Sequence, residues 1–388
     1  MRRGVFLSAL LALVLLVSSL VAAAPAEAAK PPLHIAVMGI YKGSFAAPPG
    51  SDNPLKLAVS QVNADGGIMG RKVEFKEFDT DITPQGAVTG TQLALQYKPD
   101  VVIGYGVSAG LKAASSLLNQ QGVLVIHGTL DPKLTSPDQL GSDLYFRMGP
   151  TVDQYAGAAD RFLFQDLKVK KMMVINTQDS APTDGGNTIL SQAEDANVKT
   201  DHRAISPVAT DVTEPILAAK SLDADAIWEW GYPTTDALTI KTAASNGYNN
   251  AIMTFSAASA VESDLIPASL LTDKIYSMPA TCAPEAQNSA AAKSYVAAYK
   301  KKFGSEPGVT QGNSSYDEVM IWKAAAEKAK SFDGKKVATA LKKISYDGTC
   351  GTEKADKFNN LVHTVTIVHF PNGKTTLAKQ ETDVASSA

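Results

Sequence analysis

The segment of this chain richest in chemistry is Val101-Val-Ile-Gly-Tyr-Gly-Val-Ser-Ala-Gly110. A short apolar run ends in glycines and a helical pattern begins. The first turn of a helix carries N–H groups without intrahelical partners and a partial positive charge. Ser108, with the backbone of Ala109 and Gly110, therefore suits a carboxylate. The plainer alternative is that Ser108 caps its own helix. Two enzyme patterns overlap the same residues. Gly106-Val-Ser108-Ala-Gly110 fits the G-x-S-x-G nucleophile elbow, for which His363 or His369 would supply the base. A His-Gly oxyanion loop should precede such a serine, whereas His127-Gly128 follows it. Gly104-Tyr-Gly106-Val-Ser-Ala109 fits the G-x-G-x-x-A of dinucleotide sites, but that motif belongs after the first strand and here follows the third.

A second candidate is Trp228-Glu-Trp-Gly-Tyr-Pro233. Strand alternation puts Trp228, Trp230 and Tyr232 on one face. The two tryptophans read as core, and Tyr232, beyond Gly231, reads as a pocket residue with a hydroxyl handle. Asp79-Thr-Asp81 resembles a metal-binding pair but reads as a solvated turn at a strand end. The two cysteines, Cys282 and Cys350, and the five scattered histidines lack zinc-ligand spacing. No metal and no cofactor are expected. In an oxidising compartment an isolated cysteine pair often bonds; the alternative is two buried thiols.

These residues need elements to position them. Buried-strand patterns at His34–Gly39, Val73–Phe78, Asp100–Gly104 and Val123–Ile126 alternate with helical patterns at Pro54–Ala64, Thr83–Gln96 and Leu111–Asn119. The alternation resumes after Pro150, with strands at Lys171–Ile175, Ala226–Trp230 and Ala251–Phe255, and helices at Asp153–Phe164, Asn187–Ala196 and Thr235–Ser245. Such order predicts parallel sheets covered on both faces, in two α/β lobes. Helices at Asn288–Phe303, Asp317–Lys330 and Lys335–Lys343 and a strand at Val362–Phe370 break the alternation, and Gln380–Ala388 reads as a disordered polar tail.

The chain has 388 residues and a formal net charge of −3, with charge mixed along its length. That speaks against nucleic acid and against an anionic membrane surface as partners. Arg2 and Arg3, an apolar run from Val5 to Ala24, and Ala26-Glu27-Ala28 read as a signal peptide over residues 1–28, cleaved after Ala28. The alternative is an uncleaved anchor, since the run is about long enough to span a bilayer.

Several stretches, in order, resemble type I periplasmic binding proteins, and most of all their leucine/isoleucine/valine-binding group. They are Gly39-Ile-Tyr-Lys-Gly43, Asn63-Ala-Asp-Gly-Gly-Ile-Met-Gly-Arg71, Phe78-Asp79, Asp100-Val-Val-Ile-Gly104, Asp131-Pro-Lys-Leu-Thr135, Phe146-Arg147, Tyr295-Val-Ala-Ala-Tyr-Lys-Lys-Lys-Phe-Gly304 and Ser315-Tyr-Asp317. The resemblance implies two Rossmann-like lobes, α/β in class, joined by three hinge crossings with a ligand cleft between them. The crossings fall near Pro150, Ala280 and Thr352. Residues 30–149 and 281–351 then form lobe one, and residues 150–280 and 352–388 lobe two. It implies a non-catalytic monomer in the periplasm that delivers a small carboxylate-bearing solute to an ABC permease and its ATPase. An exported serine hydrolase and a sensor partner of the same fold are the alternatives.

Carried over position by position, the resemblance makes Ser108 and Ala109 the carboxylate seat, Gly128 a backbone contact and Tyr232 the cover from lobe two. Leu130, beside Thr129, stands where the family has a hydrogen-bonding threonine. Ser256 stands where it has the glutamate that pairs with a ligand ammonium. Burying an ammonium without a counter-charge is costly. An amine-free carboxylate, aromatic given Tyr41, Tyr105 and Tyr232, is therefore a rival to an amino acid; Glu229 or Asp184 would be the substitute counter-charge.

Overall fold

The computed structural model describes residues 30–43, 46–47, 49–279, 282–308 and 314–384. The expected signal peptide and the crossing expected at Ala280 lie outside the described residues.

The first half builds one sheet: β1 (Leu33–Gly39), α1 (Asn53–Ala64), β2 (Val73–Asp79), α2 (Pro84–Gln96), β3 (Val101–Gly104), α3 (Ser108–Gln121), β4 (Leu124–His127), a short α4 (Pro137–Leu140) and β5 (Tyr145–Arg147). Its order is β2-β1-β3-β4-β5, parallel throughout. β1, β3 and β4 are nearly continuous apolar runs because helices cover both faces. Helix α2 starts where its sequence says it should. Thr83 accepts a bond from the Gly86 N–H and Pro84 takes the first helical position, where its missing N–H costs nothing. Strand order reverses between β1 and β3, so the connections from their carboxyl ends leave in opposite directions and open a crevice.

The second unit comprises α5 (Val152–Asp160), β6 (Lys171–Thr177), α6 (Ser180–Asp195), β7 (Lys199–Ile205), α7 (Thr213–Leu222), β8 (Ala226–Trp230), α8 (Pro233–Ser245), β9 (Ala251–Thr254), α9 (Ala257–Glu262) and β10 (Ile275–Ser277). The chain then returns to the first unit as α10 (Ala290–Phe303), α11 (Ser314–Ala329), α12 (Gly334–Leu341) and the hairpin β11 (Tyr346–Gly348) and β12 (Gly351–Glu353). It ends as β13 (Val365–His369) and β14 (Thr376–Glu381), antiparallel additions to a second sheet of order β14-β13-β10-β9-β8-β6-β7. The second reversal lies between β6 and β8.

Each sheet has its own core. Val319, Ile321, Trp322 and Leu341 of the returning helices pack with Ile35, Val101 and Leu124 under the first sheet, which explains their departure from strict alternation. The chain stays with that core longer than the crossing expected near Thr352 allows. Leu361 is fully buried there, and its N–H donates to the Arg147 carbonyl. The passage to the second sheet falls between Leu361 and Val365. Gln380 and Glu381, expected in the polar tail, instead pair with Thr366 and Val365 in the sheet, and residues 385–388 lie outside the described residues. Cys282 and Cys350 are disulfide-bonded, with Cα atoms 5.4 Å apart. The bond pins the second passage between sheets to the β11–β12 turn.

Candidate functional site: a cleft between the two sheets

Gly104 ends β3 with φ +97°, and a Cβ there would sit 2.2 Å from the Met38 carbonyl oxygen of the neighbouring strand. Only glycine permits this approach, and it turns the chain toward α3. Ser108 is the first residue of α3, after an N-cap, Val107, that makes no side-chain bond. The Ser108 hydroxyl does not cap its own helix. It accepts from the Asp131 N–H at 3.3 Å, which leaves its own proton available to another acceptor. Half-buried, it borders with Ala109 and Lys112 a space of about 610 Å³. The facing wall is Ser180, Asp184 and Asn187 of α6, in the other lobe.

A second cavity, about 340 Å³, opens beyond the carboxyl ends of β1, β3 and β4. Gly39, Tyr41, Gly106, Gly128, Leu130 and Tyr155 are among its walls. Tyr41 is bonded to the Glu77 carboxylate, and burial, then Glu77, Asp52 and Glu318, push its hydroxyl upward. Gly128 is exposed and its N–H donates to the Gly104 carbonyl at 3.2 Å, which closes the floor between β3 and β4.

Of two further expected pocket residues, Tyr105 borders this cavity but points its ring into packing, and Thr129 does not border it. Tyr105 has a left-handed backbone, φ +57°, which rotates its ring beneath α2 and α3; it is 1 % exposed and its hydroxyl is bonded to Thr91. Thr129 is fully buried. Its hydroxyl bonds His127 Nδ1 at 3.0 Å, and its carbonyl accepts from Arg147 Nε at 2.8 Å. Arg147 also donates to Asn360 Oδ1 at 2.5 Å and to the Asp131 carbonyl. Burial, followed by the Arg147 charge, holds His127 well below its ordinary value, so it is neutral.

In lobe two, Tyr232 precedes α8 and its N–H donates to Thr235 Oγ1 at 2.9 Å. Burial raises the hydroxyl, with a further contribution from Asp179, to which it is hydrogen-bonded. Ser256 Oγ donates to the Gly231 carbonyl at 3.3 Å, and its N–H donates to Asp236. Neither Tyr232 nor Ser256 borders the two cavities described above. Glu229 is fully buried beside Asp236, and burial, then that neighbour, drive it far above the carboxylate range. It sits in packing and cannot meet a solute; Asp184 is exposed on the cleft wall.

Sequence reasoning missed an aromatic cluster. Phe255 stacks on Trp230 at 4.7 Å, and Tyr155 meets the edges of both, at 5.0 and 5.7 Å. Tyr155 carries this cluster to the cavity wall. Phe255 was legible in principle, because it follows β9 as Tyr232 follows β8. It also missed Asp52, at the start of α1, and Glu318, which approaches Tyr41 from a helix distant in sequence.

Fold and cleft together define a class: two-lobed α/β proteins with a solute cleft at the strand ends. This chain belongs to the periplasmic binding protein family, which it matches over residues 32–375. A leucine-, isoleucine-, valine-, threonine- and alanine-binding protein of Pseudomonas aeruginosa is 22 % identical over 315 residues, covering 80 % of this chain and 82 % of that one. An amino acid binding protein of the same organism is 31 % identical over 125 residues, about a third of each chain. A branched-chain amino acid transporter substrate-binding protein of Streptococcus pneumoniae, solved with isoleucine, superposes with TM-score 0.77 at 23 % identity, over 90 % of this chain and 99 % of that one. A solute-binding protein of an R. palustris ABC transporter, solved with benzoate, gives 0.78 at 16 % identity, over 92 % and 98 %. These two likenesses establish the fold.

Proposed function

We propose that this chain is the solute-capturing component of an ABC importer. It works as a periplasmic monomer after loss of residues 1–28, carries out no reaction, and hands its cargo to a permease and its ATPase. The cargo is a small organic carboxylate, either an amino acid or an amine-free and even aromatic acid. One observation carries this reading. The Ser108 hydroxyl and the first N–H groups of α3 face the space between lobes, opposite α6. Donors and a helix N-terminus at such a place attract an anion, and a facing lobe can then cover it by hinge motion. The names of the relatives span both ligand kinds, amino acids and benzoate. Tyr155, backed by Trp230 and Phe255, gives the strand-end cavity an aromatic border that suits the second kind. A hydrolase would need a base on Ser108, but His363 is bonded to the Lys354 carbonyl and His369 to that of Asp273.

The test is a thermal-shift panel of leucine, isoleucine, valine, benzoate and 4-hydroxybenzoate, with fluorophosphonate labelling alongside. At a hundredfold excess over Kd a cognate ligand stabilises the folded state by about 2.7 kcal/mol. A raised Tm with at least one acid and no label on Ser108 is the expected result. No response to any carboxylate, or covalent labelling of Ser108, would remove the reading.

A further inference from the structure

The 340 Å³ cavity at the strand ends of the first sheet has an acidic lining. Asp52 precedes α1 and pairs with Lys56 at 2.6 Å. Glu77 of β2 stands exposed at the mouth, bonded to the Tyr41 hydroxyl. Glu318 of α11 lies deeper. It is 3 % exposed, borders the cavity, and makes no hydrogen bond or ion pair among the described residues.

A buried carboxylate without a partner is one of the costlier things a fold can hold, several kcal/mol if it ionises. Burial, then Asp317, accordingly push Glu318 up to about 8, so at neutral pH it is held mostly as the neutral acid. Local positive charge does not resolve the imbalance. The starts of α1 and α11 contribute about half a charge each and fade within a turn, and Lys56 is already engaged by Asp52. When Glu318 ionises, its charge and that of Glu77, both of which act on the Tyr41 hydroxyl, meet no cationic side chain among the described residues of the cavity wall.

We infer that this cavity receives the cationic group, a primary ammonium or guanidinium, of a solute whose carboxylate is held at Ser108. The solute class is then a small amino or guanidino acid with its charges at opposite ends. The two cavities adjoin along one loop, since Gly104 and Gly106 border this one and Ser108 and Ala109 the other. An organic cation fits better than a metal ion, because no three acids or histidines among the described residues converge to metal-binding distance. Tyr41, half-buried, adds an aromatic wall, and such rings attract a cation over their faces. The inference rests on Ser108 as the carboxylate seat, and it puts the counter-charge for a cation in lobe one, away from Ser256.

The experiment is calorimetric titration of the purified mature protein with matched pairs: pentanoate against 5-aminopentanoate, and benzoate against 4-(aminomethyl)benzoate, with pentylamine as the carboxylate-free probe. In at least one pair the amine-bearing acid should bind tenfold or more tightly than its partner, and Glu318→Gln should erase that ratio. Glu77→Gln is the second variant, at an exposed position that tolerates change, and should reduce the ratio in part. Amine-free acids that bind equally or better, or a ratio that survives in both variants, overturn the inference and leave the carboxylate seat standing. Pentylamine binding as tightly as 5-aminopentanoate, or silence from every acid, overturns the seat, and with it the two-ended solute.

Discussion

The Asp131 N–H donates to the Ser108 hydroxyl oxygen at 3.3 Å, which ties the loop after β4 to the first turn of α3. This bond fixes the serine rotamer and leaves its proton directed elsewhere. On the proposed seat, replacing Ser108 by alanine removes a charge-assisted bond to a bound carboxylate. Affinity should fall by roughly 1.5–3 kcal/mol, about ten- to hundredfold, read by calorimetry with whichever acid the thermal panel selects. Unchanged affinity would mean that the carboxylate sits elsewhere.

The Cys282–Cys350 bond closes a loop across 68 positions of sequence. Chain entropy gives such a cross-link about 4 kcal/mol, with measured losses on removal of about 2–5 kcal/mol. The Cys282→Ser/Cys350→Ser double variant should lose stability in that range in urea titrations. Dithiothreitol should lower the wild type toward the variant and leave the variant unmoved.

Gly185 lies inside α6, where alanine would ordinarily favour the helix by about 1 kcal/mol. Here a Cβ would stand 2.3 Å from the Trp230 ring. Overpacking costs about 1–3 kcal/mol, so after the helix gain Gly185→Ala should be destabilising on balance, by up to about 2 kcal/mol. It should also weaken ligand binding, because α6 forms the far wall of the cleft. A stabilised variant would show that α6 is not pressed against the sheet.

Glu318 imposes a pH dependence of definite sign. Its ordinary value is 4.5 and its folded value about 8, so between these limits the native state holds a proton that the unfolded chain has released. Stability is therefore greatest below about pH 4.5 as far as this group is concerned, and is lost as pH rises to 8, by about 1.4 kcal/mol per unit at most. Urea titrations of the wild type and Glu318→Gln at pH 5 and pH 9 should show the smaller loss in the variant. Parallel losses would mean that Glu318 titrates as a solvated acid.

The β-α alternation was legible because strands buried on both faces write continuous apolar runs into the sequence. β7, Lys199–Ile205, left no such mark. It is an edge strand whose residues are mostly exposed or half-exposed, and its Thr, Asp, His and Arg read as loop. The start of α6 was hidden for the opposite reason. Ser180 to Gly186 looks like a turn, yet Pro182 lies in its first turn, and Gly185 and Gly186 are small because Trp230 and Asn176 press on them. At the site, Ser108 could be found from a strand-to-helix junction within ten residues. Tyr105 misled because its side chain follows a left-handed backbone that residue type alone does not announce. Glu318 was invisible because it reaches the cavity from a helix 210 positions further along than Ser108.

Arg147 holds the carbonyls of Thr129 and Asp131 with one side and Asn360 with the other. Burial lowers it only to about 10, so it keeps its charge at every physiological pH. The loop that props up Ser108 is thereby riveted to the strap that leads into the second sheet. On the proposed hinge closure, the loop beside Ser108 would travel together with that strap as a single solid piece. Under that proposal a solute's grip would be converted into a change of angle between halves without first being dissipated in reshaping the pocket.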